Sequence, residues 1–278
     1  MPSFLKSSHN NAAMPQRPNM ERLDSSASTI VDEEAHTMAK CSLLPSSYRG
    51  LRKVGRSEYK HVALSLSHAF ANDELSRYMV DLPDMENRTQ ESMWKLHYDM
   101  MKYVSACYIR GGEVSTIGPD YESIAMWVRP GDNPDTRWNT FRSGLWKLKF
   151  KLSREGKNRY YKEVIPALHD TKAKIMGERD NDCYYLIYLG TKESGRCKGY
   201  AATLLRDMMQ KADQENKPMY LESSSPANTE YYKKFGFVPL EDIPFGPNKF
   251  LTAMVREPQL HKVTSSDSSG ASTLNEKN

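Results

Sequence analysis

CYYLIYLGTKESGRCKGYAATLL, residues 183–205, joins two patterns of different period. Its first eight residues are a continuous apolar run, short enough for a strand buried on both faces. From Leu204 onward, Leu205, Met208, Met209 and Ala212 make one apolar stripe with Arg206, Asp207, Gln210, Lys211 and Gln214 opposite, the pattern of an amphipathic helix. The junction between them, GRCKGYAA, carries two glycines, small side chains and two cations, more than an ordinary turn needs. A helix that starts there points its first unpaired N–H groups, and about half a positive charge, at whatever approaches the loop. Gly199, Ala201 and Ala202 have little or no side chain to prevent close approach, and Arg196 and Lys198 add charge suited to a diphosphate.

Working downstream, PMYLESS (218–224) alternates as a strand, with Tyr220 and Glu222 on one face and Met219 and Leu221 on the other. Residues 228–235 read as a short helix ended by Gly236, and KFLTAMVRE closes the domain as a strand. Upstream, LRKVGR (51–56) reads as a strand, and Ser57 is a plausible N-cap for a helix carrying Val62, Ala63, Leu66 and Phe70. Helical segments follow over 73–80 and 90–108, then EVSTI and SIAMWV as a hairpin around Gly118-Pro119-Asp120. Residues 133–177 carry both periods, since Leu145, Leu148 and Leu152 recur at helical spacing while WKLKFKL alternates. No turn signal brackets a strand there, so two helices are expected. The order of elements describes an α/β or α+β domain with a mixed sheet.

The chain has 278 residues and a net charge of +4, a mild imbalance that does not by itself point to nucleic acid. Residues 1–48 and those from 258 onward are rich in Ser, Asn and isolated charges without sustained periodicity, and are expected to be disordered tails around a domain at 49–257. Four cysteines lie far apart without CxxC pairs, and no apolar stretch has signal-peptide or membrane-spanning length. These features favour a reducing, cytoplasmic setting without excluding the nucleus, and no metal site. The sequon at Asn87-Arg88-Thr89 then has no secretory use. WKLKFKL interleaves cations with large apolar groups, as membrane-surface and helix-binding segments do, but within a folded domain a helix packed on one face is the expectation.

GxxxxGK[ST] and strand-to-helix GxGxxG are both absent, which argues against a nucleoside triphosphatase or a dinucleotide enzyme. Arg196-x-x-Gly199-x-Ala201 instead resembles the R/Q-x-x-G-x-G/A signature of the GNAT acetyltransferase superfamily, and ESSSPANTEYYKKFGF (222–237) resembles its second landmark. Over roughly 50–257 the layout is most like the puromycin N-acetyltransferase type, from AFANDELSRYMV (69–80) and AMWVRPG (125–131) to these two motifs. Cys197 stands where glycine is usual, Ala201 replaces the commoner glycine, and Thr191-Lys192-Glu193 replaces Val-x-Pro. Those replacements are tolerable where the backbone angles are ordinary.

The resemblance implies a GNAT fold, a central twisted mixed sheet flanked by helices with an inserted helical segment before the cofactor strand. It implies acetyl-CoA as cosubstrate, bound by Arg196, Cys197, Lys198, Gly199, Tyr200 and Ala201 and by backbone groups of Leu189 and Thr191. Tyr232 occupies the position of the general acid that protonates departing thiolate, with Asn228 on the same helix face. Tyr231 competes for that role, since periodicity does not separate neighbouring tyrosines. Glu222 is positioned to take the amine's proton or to make a structural hydrogen bond. Asp73 and Glu74 are candidates for recognising a cationic acceptor, whereas His68, His97 and His169 read as surface or packing residues. Covalent catalysis by Cys197 is disfavoured, because no His or Asn constellation accompanies it. The expected partner is a small-molecule amine, with neither nucleic acid nor membrane, on a monomer or homodimer. A noncatalytic acyl-CoA-binding protein on the same fold is the alternative.

Overall fold

The computed structural model describes residues 50–85 and 88–259. Nearly all of both expected tails, and Asn87 of the sequon, lie outside the described residues.

Seven strands form one sheet: β1 (Arg52–Lys53), β2 (Glu113–Ile117), β3 (Ser123–Val128), β4 (Tyr184–Thr191), β5 (Met219–Ser223), β6 (Val238–Pro244) and β7 (Phe250–Arg256). Their spatial order is β1-β2-β3-β4-β5-β7-β6. β4 and β5 are parallel and every other pairing is antiparallel, the mixed sheet expected. On one face lie α1 (Tyr59–Ala69), α2 (Glu74–Val80), α3 (Gln90–Gly111) and the inserted helices; on the other lie α8 (Tyr200–Gln214) and α9 (Pro226–Lys233). Tyr220 packs with the first set and Met219 and Leu221 with the second, as alternation along β5 requires.

Several expectations are corrected. Ser57 does not cap α1: a 3₁₀ turn at Arg56–Glu58 precedes it, and the Glu58 carboxylate accepts from the Gly55 N–H. Glu58 also accepts from Arg52 at 2.7 Å and Tyr121 at 2.5 Å, tying β1 and the β2–β3 turn to the start of α1. Burial opposes its charge, but these donors outweigh it and hold the carboxyl down to about 2. The strand at 51–56 shortens to Arg52–Lys53. The insertion is helical, but not as two helices. It breaks into α4 (Arg137–Ser143), α5 (Leu148–Lys151), α6 (Arg154–Asn158) and α7 (Ile165–Met176), with a π turn at Arg159–Val164. Gly144, left-handed at φ 78°, ends α4, and Ser153 starts α6 by accepting from Gly156 N–H. β6 escapes the sequence pattern because Pro239 and Pro244 interrupt it, yet an edge strand tolerates proline on its solvent side.

α8 is held to the far end of the sheet by a buried ion pair. Arg256 on β7 is 1% exposed and meets both Asp213 carboxylate oxygens at 2.8 Å, while its Nε donates to the Phe235 carbonyl at 3.1 Å. Removing the carboxylate strands a guanidinium in the interior. Asp213→Ala is therefore expected to cost about 3 kcal/mol, read from the shift in the urea midpoint. A change under about 1 kcal/mol would mean that the pair behaves as a solvated one.

Candidate active site

β4 pairs with β5 through only three residues, Tyr184, Leu186 and Tyr185 between them, and then leaves it. Its other edge stays on β3 as far as Thr191, with Leu189 opposite Ala125 and Thr191 opposite Ser123. The register between β3 and β4 slips at Met126/Trp127, so Ile187 is an extra residue. The bulge puts Ile187 and Tyr188 together on the α1–α3 face, while Leu186 and Leu189 share the α8 face. At Gly190 α1 lies directly on the strand: a Cβ there would stand 2.8–3.0 Å from the side chains of Phe70, Ala69 and Leu66. From Ile187 onward the edge of β4 that faces β5 is unpaired, and so open to the amides of an extended ligand.

A cavity of about 480 Å³ occupies this divergence. Leu189, Ser224, Asn228 and Tyr232 line it toward α9, and Glu222 on β5 faces it. Its wall also includes the aromatic and thioether side chains of Phe70, Met100, Tyr108, Tyr160, Tyr185 and Tyr188, together with carboxylates such as Asp132, Asp135 and Asp180. Tyr232 is buried against Phe237 and Tyr231, and desolvation pushes its phenol well up, so the ring keeps its proton. Tyr231 packs on Phe235 and is not among the cavity's lining residues, which separates the two tyrosines that spacing left equivalent. The Asn228 amide donates to Ser224 Oγ at 3.3 Å.

Glu222 is an acid pushed upward. Burial raises its carboxyl to about 7, against the pull of the Tyr185 hydroxyl, which donates at 3.1 Å, and of Lys172 nearby. Lys172 itself is paired with Asp180 at 2.6 Å and lies over the Tyr185 ring. The buried Tyr220 hydroxyl is also close, though without a well-formed hydrogen bond.

At the glycine junction, Gly199 is the residue before α8, with φ 77°, and a Cβ there would meet nothing within 4 Å. The first-turn N–H groups of Tyr200 and Ala201 thus begin beside open space. Arg196 and Cys197 are exposed, whereas Lys198 is drawn toward the buried Glu122 carboxylate at 3.3 Å. The condition of ordinary backbone angles is not met at Cys197: its φ is 60°, the left-handed region that glycine occupies without strain. Ala201 is ordinary helix.

Thr191 Oγ1 is spent on Ser123 Oγ at 2.8 Å, leaving its backbone at the strand end. Asp73 lines the cavity, but its carboxylate caps α2 through Ser76 N–H at 2.9 Å; exposed Glu74 lies 4.0 Å from Lys249 and outside the lining. His97 is buried and donates to the Ser67 carbonyl at 3.1 Å, and His68 and His169 are exposed. Among the described residues no group of three or more His, Cys, Asp or Glu is placed to hold a metal ion. The tyrosine wall was not foreseen. YYLIY gives no sign of which rings face a cavity until the bulge at Ile187 is known.

Residues 167–237 match the Acetyltransferase (GNAT) family. Over 211 residues, 75% of this chain and 83% of the relative, the sequence is 36% identical to an uncharacterised N-acetyltransferase, C550.08, of Schizosaccharomyces pombe. Solved structures align at lower identity. A Corynebacterium glutamicum structure described as histone acetyltransferase HPA2 and related acetyltransferase aligns at 20% identity over 77% of this chain and 98% of its own, with a TM-score of 0.47. Arylalkylamine N-acetyltransferase 2 of Aedes aegypti aligns at 15% identity over 75% and 98%, with a TM-score of 0.48.

Two outcomes follow from this geometry. The raised Glu222 carboxyl means that the folded protein holds a proton the unfolded chain loses near the ordinary carboxylate value, so stability falls as pH rises toward about 7. In thermal melts Glu222→Gln should match wild type near pH 4 and become increasingly more stable than it up to pH 7, with a constant gap above. A gap independent of pH would show that the carboxyl titrates normally. Cys197→Gly should raise stability by up to about 1 kcal/mol in the same melts, since it removes a left-handed Cβ.

Proposed function

The chain belongs to the GNAT acetyltransferase family, and from that premise we propose that it transfers acetyl from acetyl-CoA directly to the primary amine of a small molecule with an aromatic or aliphatic body. The observation that carries this reading is the single cavity that begins where β4 leaves β5, passes Tyr232 and Glu222, and ends among tyrosines and methionines. The aromatic and thioether part of this wall suits an acceptor with an apolar body. The inserted helices between β3 and β4, which supply Tyr160, Val164 and Leu168 to that wall, support the puromycin N-acetyltransferase type of member.

Acetyl-CoA supplies an acyl group already activated as a thioester. The backbone from Arg196 to Ala201 would hold its diphosphate, using the first-turn N–H groups of α8 and the space over Gly199. The unpaired edge of β4 around Leu189 and Thr191 would take the extended amides and offer an N–H to the carbonyl being attacked. Tyr232 stays protonated through the working range and so has a proton for the departing sulfur, with Asn228 beside it to position the cofactor arm. The attacking nitrogen loses a proton as the amide bond forms. Glu222, which titrates at about 7, is ionised in a useful fraction at neutral pH and accepts that proton directly or through water.

The test is release of free CoA thiol from acetyl-CoA across a panel of amines. Arylalkyl and alkyl primary amines should turn over faster than a lysine peptide. Tyr232→Phe should lower kcat by about 10²-fold or more while leaving acetyl-CoA affinity within about twofold. Wild-type kcat/KM should rise through pH 7 on a limb that Glu222→Gln abolishes. Gly199→Trp should weaken acetyl-CoA binding severely. Tight acetyl-CoA binding without turnover on any amine would replace this reading with that of an acyl-CoA-binding protein.

A further inference from the structure

Four large aromatic side chains stand in solvent on the inserted segment: Trp138 (66% exposed), Phe141 (65%), Trp146 (42%) and Phe150 (77%). They are contiguous. Ring centroids are separated by 6.5 Å from Trp138 to Phe141, 6.3 Å from Phe141 to Trp146 and 5.9 Å from Trp146 to Phe150. The packed-face expectation for WKLKFKL therefore holds only for its leucines: Leu148 and Leu152 are buried, while the rings between and before them face outward. The exposure does not come from a loosely held segment. Asn139 on α4 is buried and donates to the carbonyls of Cys107 on α3 at 3.0 Å and Pro134 at 2.7 Å, and Leu148 on α5 is fully buried. The same turns that anchor the segment present the rings.

Along the segment that carries the rings, the charge has one sign. From 136 to 154 the cations are Arg137, Arg142, Lys147, Lys149, Lys151 and Arg154, and there is no Asp or Glu. Lys151 is paired with Asp99 at 2.7 Å; the other five make no ion pair among the described residues. Arg142 lies over Trp138 and Lys147 over Trp146, so cations flank the ladder instead of lying apart from it. A contiguous aromatic patch is costly to leave in water and marks a surface that meets something. A second copy of this face would bring like charges together. Phe141 lies between the two tryptophans with its ring near-parallel to both, at centroid separations of 6.5 and 6.3 Å. Trp and Phe beside unpaired Lys and Arg is the composition that lies at the headgroup level of a bilayer.

We propose that the face formed by α4, the turn Leu145–Lys147 and α5 docks the protein peripherally on an anionic lipid bilayer, with Trp138, Phe141, Trp146 and Phe150 inserted at the interface and Arg137, Arg142, Lys147, Lys149 and Arg154 against acidic headgroups. Among the described residues no helix is long and apolar enough to cross a membrane, and the attachment proposed is to one surface. It is reversible and weakens as salt screens the headgroups. This proposal departs from the sequence expectation of no membrane partner. It is independent of the acceptor reading.

The experiment uses the full chain and sedimentation with vesicles of phosphatidylcholine alone or with about 30% phosphatidylserine, a composition that gives a negative surface potential. Partitioning to the anionic vesicles should exceed that to neutral ones by more than about tenfold, fall at high salt, and shift tryptophan emission to the blue. Two variants separate the contributions: Trp138→Ser with Phe141→Ser, Trp146→Ser and Phe150→Ser, and Arg142→Gln with Lys147→Gln and Lys149→Gln. Each should lose about tenfold or more in partitioning while retaining acetyl-CoA affinity, and the charge variant keeps the test valid should the ring variant fold poorly. Absence of partitioning by wild type, or partitioning that both variants retain, overturns the proposal. So does tighter binding to a homopolymeric RNA than to anionic vesicles, or concentration-dependent self-association abolished by the ring variant without any vesicle binding.

Discussion

The separation of β4 from β5 is the constraint on which the rest of the site depends. Two parallel strands that paired along their full length would close the sheet and satisfy each other's backbone groups. Here β4 is held on its other side by β3 to its last residue, and the extra residue at Ile187 bends it away after three paired positions. α1 then lies across its end, a contact that Gly190 permits by having no side chain. The consequence is an unpaired strand edge in the middle of a sheet, normally a costly arrangement, which only a ligand or water can satisfy.

The electrostatics of the cavity follow from that opening. Glu222 sits on the strand that β4 has left, on the same face as Tyr220, and is surrounded by apolar and phenolic groups instead of bulk water. Desolvation raises its carboxyl toward neutrality, and the Tyr185 hydroxyl and the more distant Lys172 limit the rise. Tyr232 experiences the same desolvation in the same direction, and because a phenol already ionises well above neutrality, burial keeps it protonated. One cavity thereby carries a phenol that stays protonated and a carboxyl that titrates at about 7.

The two faces of the sheet divide the work. α8 and α9 pack on one face around Leu204, Leu205, Met208, Tyr232 and Phe237, and Arg256 with Asp213 fastens α8 to the far strands. That anchoring fixes where the N-terminus of α8 stands relative to the opening. The other face carries the inserted helices, whose inner side completes the cavity wall and whose outer side carries the aromatic and cationic ladder. Fragmentation at Gly144 and Ser153 lets so short a segment serve both sides, because each short helix sets its own inward direction.

The sequence by itself determined the elements with strong periodicity: the apolar strand at 183–190, the amphipathic helix after the glycine junction, the alternation that puts Glu222 beside Tyr220, and the hairpin at Gly118. Those patterns are local, and a period of 2 or 3.6 residues survives any tertiary arrangement. The edge strand with its two prolines was lost because its pairing is tolerated only at an edge, a fact of sheet position. Which of Tyr231 and Tyr232 lines the cavity, the tyrosine wall and the outward rings of WKLKFKL were decided by tertiary structure alone. So was the left-handed angle at Cys197. Each depends on what the rest of the chain places against it: a bulge that changes which side chains share a face, a helix that fills one side of a strand, or a loop that must reverse before α8 can begin.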